Sequence, residues 1–315
     1  MNRGSVLLTG ATGFIGSRLF QVINADEWQV RRVSRRASEQ NGVIVGDIGP
    51  GTDWAGALRG VECVVHLAAR VHVMQEQVAD PLAEFRKVNT DGTLNFARQS
   101  SAAGVNRFIY LSSIKVNGEQ TQPGCPFTAD DNPAPLDAYG VSKHEAEQGL
   151  LSLANETGME VVIIRSPLVY GPGVKANFQR MMRWVNRGVP IPLGAIHNKR
   201  SLVALDNLVD LIVTCIDHPA AENQIFLASD GEDLSTTELL RGVAKAAGVS
   251  SRLIPVPASV LIFMASLLGK KEMAQRLLGS LQVDISKTRD LLDWTPPLSV
   301  EEGLRRCFVK NAERY

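Results

Sequence analysis

Three polar side chains have the types and spacing that proton transfer at a carbinol carbon requires: Ser113, Tyr139 and Lys143. A hydride transfer at such a carbon needs a group that gives or takes the hydroxyl proton. Tyrosine alone is a weak base at neutral pH because its pKa is about 10, and a nearby ammonium favours the phenolate. Tyr139 and Lys143 are four residues apart, so one helical face would carry both. The pattern predicts Tyr139 as the acid and base, Lys143 as the group that lowers its pKa, and Ser113, rather than Ser112, as the group that orients the substrate oxygen.

A glycine-rich turn at residues 9–16 separates a strand pattern from a helix pattern. Gly10 allows a sharp turn, Gly13 leaves no Cβ between the backbone and a pyrophosphate, and Gly16 lets the helix pack against the sheet. The helix N-terminus adds free N–H groups and a positive dipole end. A turn without a ligand is the alternative, but the strand–turn–helix context favours a dinucleotide site. The predicted contacts in this turn are Gly10, Thr12, Gly13, Phe14, Ile15 and Gly16.

Apolar runs that alternate with helical patterns must position these groups. The predicted strands are residues 5–8, 30–33, 43–45, 63–69, 108–111 and 161–165. Ser113 follows the fifth strand, and Asp137 is the expected N-cap of the helix that carries Tyr139. The alternation predicts an α/β fold with a doubly wound parallel Rossmann sheet over residues 1–172. Residues 173–315 are predicted to form a smaller, mostly helical substrate-binding part that is not autonomous and can return strands to the sheet.

The end of the second strand indicates which cofactor is bound. Dinucleotide domains that prefer NAD place an Asp or Glu there against the ribose 2′-hydroxyl, whereas this chain carries Arg31, Arg32, Ser34, Arg35 and Arg36. A guanidinium can hold a 2′-phosphate with bidentate hydrogen bonds. NADP(H) is therefore preferred, with Ser34 beside it and Arg35 as the main ligand. NAD(H) is the alternative if these arginines form a solvated cluster.

Composition excludes several classes of function. Lys and Arg total 33 and Asp and Glu total 33, so no net charge attracts nucleic acid or a membrane. Four scattered cysteines without a CxxC pair, and no signal-peptide pattern, favour free thiols in a reducing cytoplasm. The five histidines lack the spacing of metal ligands. The apolar run at 260–268 is shorter than the about 20 residues that span a bilayer. It predicts a packed helix and no stable membrane insertion, with contact at a membrane surface as the alternative.

Taken together, the motifs resemble those of the extended short-chain dehydrogenases/reductases of the NAD-dependent epimerase/dehydratase family. The resemblance rests on the turn at 9–16, the serine after the fifth strand, the Tyr-x-x-x-Lys pair, the segment 200–210 and the segments 284–287 and 294–296. It covers nearly the whole chain. It implies an enzyme that acts on a nucleotide sugar, and a homodimer formed through the helix that starts near Tyr139.

The resemblance also implies roles for individual residues. His66 and Asn89 are implied to be structural rather than catalytic. Further cofactor contacts are implied for Asp47, Ile48, Leu67, Ala68, Ala69, Tyr139, Lys143 and Pro167. Substrate contacts are implied for Ser113, for Arg200 at the diphosphate, for Asn177 at a phosphate or the uracil, and, with less motif support, for Arg252. Surface ion pairs are the alternative for the two arginines.

The residues that follow Ser113 distinguish the dehydratases of this family from its epimerases and reductases. The dehydratases carry Asp-Glu directly after this position, whereas Ile114 and Lys115 stand here, so dehydration is not predicted. Val116-Asn117-Gly118 differs from the Val-Tyr-Gly of UDP-galactose 4-epimerases. Residues 66–74 resemble bacterial O-antigen enzymes, and the arginine-rich strand favours a reductase, which consumes NADPH.

The favoured function is therefore a C4 oxidoreductase of a UDP-linked sugar, namely NADPH-dependent reduction of a UDP-4-keto-6-deoxy-N-acetylhexosamine in cell-surface polysaccharide biosynthesis. The alternative is an NAD-dependent UDP-hexose or UDP-N-acetylhexosamine 4-epimerase. A third hypothesis, a catalytically idle NADP-binding sensor or interaction protein, conflicts with the intact Ser113, Tyr139 and Lys143.

Overall fold

The computed structural model describes residues 4–26, 28–35, 42–71, 80–122 and 124–309, with the backbone alone at 272, 273 and 276. The strands are β1 (Ser5–Thr9), β2 (Gln29–Ser34), β3 (Gly42–Ile44), β4 (Cys63–His66), β5 (Arg107–Ser113), β6 (Glu160–Ser166), β7 (Leu168–Tyr170), β8 (Arg200–Ala204), β9 (Ile225–Leu227) and β10 (Asp233–Leu234). Seven of them form one parallel sheet in the order β3-β2-β1-β4-β5-β6-β9. A second sheet has the order β10-β8-β7.

Helices connect these strands and fill the C-terminal part. They are α1 (Phe14–Ala25), α2 (Ala55–Leu58), α3 (Pro81–Phe85), α4 (Thr93–Ala102), α5 (Ala138–Thr157), α6 (Ala176–Asn186), α7 (Leu205–Asp217), α8 (Thr236–Ala246), α9 (Ala258–Leu267), α10 (Lys271–Leu278), α11 (Ser286–Leu292) and α12 (Val300–Arg306). A π-helical segment, Arg86–Gly92, joins α3 to α4, and 3₁₀ turns lie at Ile114–Val116 and Pro219–Ala221.

The sheet is covered on both faces, which explains why its strands are continuous apolar runs. Side chains alternate between the two faces along each strand. In β1, Val6 and Leu8 pack with Leu19 of α1 on one face. Leu7 points to the other face and packs with Phe96 of α4. The predicted α/β fold with a doubly wound Rossmann sheet is therefore confirmed.

The six predicted strands are all present, with small shifts at their ends. The fourth strand ends earlier than expected, at His66, so residues 67–69 lie in the following loop. A π-helical segment lies between α3 and α4, and a 3₁₀ turn follows Ser113 directly. β9, from the C-terminal part, pairs with β6. The domain boundary at residues 172 and 173 stays a prediction.

The strand order reverses between β1 and β4, since β2 and β3 lie on one side of β1 and the later strands on the other. Ligands of open α/β sheets bind at the carboxyl ends of the strands at such a point. Thr9 ends β1 there, and its Oγ1 accepts hydrogen bonds from the N–H groups of Leu67 and Ala68, both at 3.1 Å. The carboxyl ends of the two strands are thus held together by one side chain.

His66, at the end of β4, completes this link. Thr9 Oγ1 lies 2.7 Å from His66 Nδ1. Both lone pairs of the threonine oxygen are occupied by backbone N–H groups, so its proton is donated to Nδ1. His66 Nε2 then donates to Thr93 Oγ1 at 3.0 Å. Burial lowers the pKa of His66 to about 3, so the ring stays neutral and structural, in keeping with its predicted role.

A Thr9→Val variant should lower the free energy of unfolding by several kcal/mol. The substitution keeps the shape of the side chain, but it leaves two backbone N–H groups and Nδ1 of His66 without their partner. Each buried group left unsatisfied costs about 1–3 kcal/mol. Urea denaturation provides the measurement. Thr9→Ser is the control, because it keeps the hydroxyl and loses one methyl group, worth about 1 kcal/mol. Equal losses in both variants would contradict this account.

Candidate active site

The ends of β5 and α5 bring the three predicted catalytic residues together. Ser113 is the last residue of β5. Asp137 caps the N-terminus of α5, as predicted, so that Tyr139 lies in the first turn and Lys143 one turn later. The hydroxyl of Ser113 lies close enough to that of Tyr139 to lower the pKa of the phenol, and Lys143 Nζ donates to the carbonyl of Leu111 in β5 at 2.9 Å. Two hydroxyls and one amine thus converge at the carboxyl end of the sheet.

Burial controls the protonation of Tyr139. Burial, together with the negative charge of Asp137, raises the pKa of the phenol to about 12, and the nearby hydroxyl of Ser113 opposes the increase. Lys115, which was not among the predicted site residues, contacts the Asp137 carboxylate. In the chain alone the phenol therefore stays protonated at neutral pH.

Lys143 is almost fully buried, with 2% of its surface exposed. Burial lowers the pKa of its amine to about 7, and the negative charge of Glu147 opposes this decrease. Its Nζ lies 4.3 Å from the ring centroid of Tyr110 and 6.0 Å from that of Tyr139. The effect of Lys143 on the Tyr139 pKa stays a prediction, since in the chain alone burial is the main influence on that pKa and Nζ of Lys143 lies closer to the Tyr110 ring.

A buried ion pair lies one turn beyond Lys143. Glu147 Oε2 and Arg165 Nη2 are 2.6 Å apart, and each side chain is 2% exposed. Asn117 Oδ1 accepts from Arg165 Nη1 at 3.0 Å, and Asn117 Nδ2 donates to the carbonyl of Thr128 at 2.8 Å. Asn117, in the segment that differs from Val-Tyr-Gly, is therefore a buried connection. The spacing of Glu147 from Lys143 is visible in the sequence, but its pairing with Arg165 is not.

The glycine turn fits a dinucleotide pyrophosphate. Gly10 has φ +69°, which favours glycine. A Cβ on Gly16 would lie 2.1 Å from the carbonyl oxygen of Gly10, so the helix can begin there only without a side chain. Gly13 caps α1 without a side-chain hydrogen bond, and the first turn contains no acid. The N-terminal N–H groups of a twelve-residue helix therefore face the turn, where they can bind an anion. Thr12 is exposed, and Phe14 and Ile15 are half-buried beside it.

Arg35 and Asp47 lie close together, next to the end of β2. Arg35 Nη1 is 3.9 Å from Asp47 Oδ1, with 77% and 92% of the two side chains exposed. Ser34, the last residue of β2, accepts a hydrogen bond from the N–H of Val45 through its carbonyl. Arg31 is engaged elsewhere, since its Nη1 donates to the carbonyls of Ala57 and residue 59.

The remaining arginines of this segment differ from Arg35. The guanidinium of Arg32 stacks 4.3 Å from the ring centroid of Phe20, and residue 36 lies outside the described part of the chain. Part of the segment 66–74 also lies outside it. The exposed guanidinium of Arg35 is therefore the group to which a 2′-phosphate interaction can be assigned and tested.

The other predicted cofactor residues surround the switch point of the sheet. Leu67, Ala68 and Ala69 follow β4 and are half-buried, and Pro167 is buried after β6. Ile48 packs so closely against the π-helical segment that a Cβ on Gly92 would lie 2.9 Å from its Cγ2.

Asn89 connects the segment after β4 to α5. Its Oδ1 accepts from the N–H of Arg70 at 2.8 Å, and its Nδ2 donates to the carbonyl of Arg70 at 3.0 Å and to Ser142 Oγ at 3.1 Å. Ser142 precedes Lys143, so Asn89 helps to fix the helix that carries Lys143. This contact agrees with the structural role predicted for it.

The residues of the C-terminal part that are predicted to bind substrate differ in their exposure and in their contacts. Arg200 starts β8, its Nη1 donates to the carbonyl of Gly279 at 3.2 Å, and burial lowers its pKa. Asn177 is exposed on α6. The side chain of Arg252 is exposed and packs near Gly188. Their roles at a substrate stay predictions.

Two features are absent from the part of the chain that the structure describes. No group of three or more His, Cys, Asp or Glu side chains there is arranged to hold a metal ion. Within the same ranges, no helix is long and apolar enough to cross a membrane.

Comparison with known proteins agrees with this geometry. The model of the NAD dependent epimerase/dehydratase family matches residues 6–228. A UDP-glucose 4-epimerase from Vibrio cholerae is 51% identical over 307 residues, which is 96% of this chain and 94% of that protein. The chain therefore belongs to the NAD dependent epimerase/dehydratase family, and it is an enzyme of the extended short-chain dehydrogenase/reductase type.

Solved structures share the fold at lower identity. The UDP-glucuronic acid 4-epimerase from Bacillus cereus, in complex with NAD, superposes with a TM-score of 0.76 at 21% identity, covering 96% of each chain. RMD from Pseudomonas aeruginosa, complexed with NADPH, has a TM-score of 0.74 at 21% identity and covers 96% of this chain and 97% of that one. Structures with either dinucleotide thus share this fold.

Replacing Lys143 with Met should stabilise the protein most at pH 7 and below. The unfolded lysine has a pKa near 10.5, whereas the folded one is at about 7, so the unfolded state binds more protons between these values. The free energy of unfolding of the wild type therefore rises with pH in this window, by about 1.4 kcal/mol per unit. The melting temperatures of the two proteins should converge between pH 7 and 10. Lys87→Met, at an exposed position, is the control, and parallel curves for Lys143→Met and the wild type would refute the buried amine.

An Arg35→Ala variant should bind NADPH about ten-fold or more weakly and NADH as the wild type does. A hydrogen bond to a charged group contributes about 1.5–3 kcal/mol, and only NADPH carries the 2′-phosphate. Fluorescence titration of both nucleotides gives the two affinities. Arg31→Ala is the matched control, because that guanidinium is already bound to two carbonyls. If NADPH and NADH lose affinity equally, Arg35 is not the phosphate ligand.

Proposed function

We propose that this enzyme catalyses the NAD(P)-dependent 4-epimerisation of a UDP-sugar, either a UDP-hexose or a UDP-N-acetylhexosamine. The observation that carries the proposal is the 51% identity to a UDP-glucose 4-epimerase over 96% of the chain. The proximity of Tyr139, at the start of α5, to Ser113, at the end of β5, supports it. The comparisons favour this epimerase over the reductase that the arginine-rich strand suggested.

The chain's own residues supply the proton chemistry. Tyr139 takes the proton from the sugar O4, and Ser113 holds that oxygen through its hydroxyl. A bound nicotinamide would supply reversible hydride exchange at C4, so that no external oxidant or reductant would be consumed. Tyr139 then returns its proton to O4. Lys143, in its charged form, favours the phenolate that this proton transfer requires.

Substrate binding is assigned to the C-terminal part. Arg200 is the proposed ligand of the diphosphate, because its half-buried guanidinium at the start of β8 would gain from an anionic partner. Asn177 and Arg252 remain candidates for the rest of the nucleotide. A homodimer through the helix that carries Tyr139 is proposed from the family resemblance.

A second candidate function is the NADPH-dependent 4-keto reductase. Arg35, exposed beside the end of β2, favours it because an enzyme that consumes NADPH must select the 2′-phosphate. In contrast, an epimerase regenerates its cofactor in every turnover and has no need to exchange it.

The purified protein should interconvert UDP-glucose and UDP-galactose, or their N-acetyl counterparts, without added reductant. A sugar deuterated at C4 should keep its label at C4, because the hydride returns to the same carbon. Chromatography and mass spectrometry of the products provide the measurement. Conversion of a UDP-4-keto sugar that consumes one NADPH per product, with no interconversion of UDP-hexoses or UDP-N-acetylhexosamines, would replace the epimerase with the reductase.

Tyr139→Phe should lower kcat by about 10²–10⁴-fold, the usual contribution of a positioned acid and base. Ser113→Ala should also lower kcat, since it removes the hydroxyl that orients O4. The matched control is Ser112→Ala: Ser112 is buried, and its Oγ has no hydrogen-bond partner among the described residues. If Ser112→Ala loses as much activity as Ser113→Ala, the assignment of the serine is wrong.

A further inference from the structure

An exposed apolar surface lies on α9, α10 and the segment before them, residues 254–278, which we name the hairpin surface. α9 contains no buried residue, although every position from 260 to 265 is apolar. The helix predicted at 260–268 is present as α9 and contacts α10, but none of its residues is buried. The large apolar side chains that are 44–72% exposed on this surface are Ile254, Val260, Phe263, Met264, Leu267, Leu268 and Leu277.

The charge of this region is one-sided. Within residues 254–278 there are three cations, Lys270, Lys271 and Arg276, and one acid, Glu272. The chain as a whole has a formal net charge of zero. Lys270 and Lys271 follow directly after the exposed Leu267 and Leu268, and both lysines are exposed. An apolar surface bordered by cations complements an anionic layer with an apolar interior.

The hairpin surface is attached to the candidate substrate site. Gly279, which follows α10, accepts hydrogen bonds from Asn198 Nδ2 at 2.9 Å and from Arg200 Nη1 at 3.2 Å through its carbonyl. The carbonyl of Leu277 accepts from Thr236 Oγ1 at 3.2 Å. A partner bound to the hairpin surface would therefore lie at the C-terminal part of the chain, next to Arg200.

We propose that the hairpin surface binds peripherally to the surface of an anionic phospholipid bilayer. α9 has ten residues, about 15 Å in length, which is too short to span the about 30 Å hydrocarbon core. It can lie in the interface, where its exposed apolar side chains enter the acyl boundary and the lysines meet the phosphates. Peripheral binding agrees with the absence, among the described helices, of one that could cross a membrane.

A second copy of this chain is a poorer occupant of the hairpin surface. A symmetric contact would place Lys270 and Lys271 of one copy against the same basic surface of the other. Like charges at an interface oppose association, and the single acid of residues 254–278, Glu272, does not balance the three cations there. An anionic bilayer supplies the opposite charge and accepts the apolar side chains together.

Sedimentation of the full-length protein with vesicles tests the proposal. We expect the protein to sediment with vesicles of phosphatidylcholine and phosphatidylglycerol, and about ten-fold or more weakly with phosphatidylcholine alone, since each basic residue near an anionic surface adds a favourable contribution. Phe263→Ser/Leu267→Ser should weaken binding to the anionic vesicles about ten-fold or more. Lys270→Glu/Lys271→Glu should do the same and should reduce the salt dependence of binding.

Leu291→Ser, at another exposed apolar position, and Lys87→Glu, at another exposed lysine, are the matched controls and should bind as the wild type does. Unchanged melting temperatures show that the variants are folded. The proposal fails if the wild type does not sediment with anionic vesicles, or if the hairpin variants bind as tightly as the controls. It also fails if these variants turn a dimer into a monomer in light scattering while vesicle binding is absent. None of these readouts depends on the sugar that the enzyme converts.

Discussion

The hydroxyl of Thr9 is the point on which the site depends most. It holds the ends of β1 and β4 together by accepting from two backbone N–H groups and donating to His66. Because the sheet order reverses here, this contact determines the width of the crevice in which a ligand can lie. Polar groups buried at this position must all be satisfied, and the relay through His66 to Thr93 meets that condition. The glycine turn begins directly after this threonine.

The proposed reaction requires a charged lysine and a tyrosine that can lose its proton, and burial disfavours the charged form of both side chains. Lys143 is buried and loses part of its charge, and Tyr139 is buried and holds its proton. The ion pair of Glu147 and Arg165 lies in the same layer and is fully buried. Buried charges are costly unless they are paired, so the pairing of Glu147 with Arg165 leaves Lys143 as the buried cation that lacks a direct carboxylate contact. The buried amine of Lys143 therefore lowers the free energy of unfolding, at the position where the proposed reaction needs a positive charge.

The C-terminal part is joined to the sheet by charges as well as by strand pairing. Asp206 at the start of α7 pairs with Arg18 of α1 at 2.7 Å and with Arg306 of α12 at 2.5 Å. β9 adds the last strand to the main sheet. Arg200 and the hairpin surface are consequently fixed relative to the glycine turn. If the enzyme binds a bilayer through that surface, its substrate site is held close to the membrane without spanning it.

Local features could be read from the sequence because they depend on neighbouring residues. The strand–glycine–helix turn, the N-cap Asp137, the one-turn spacing of Tyr139 and Lys143 and the six strands follow from patterns within a few residues. Tertiary structure alone decided the protonation of Tyr139 and Lys143, the exposure of α9, and the pairing of Glu147 with Arg165. These properties depend on burial and on contacts between distant segments, which no local pattern contains. The family could be recognised from ordered motifs, whereas the environment of each motif required the folded chain.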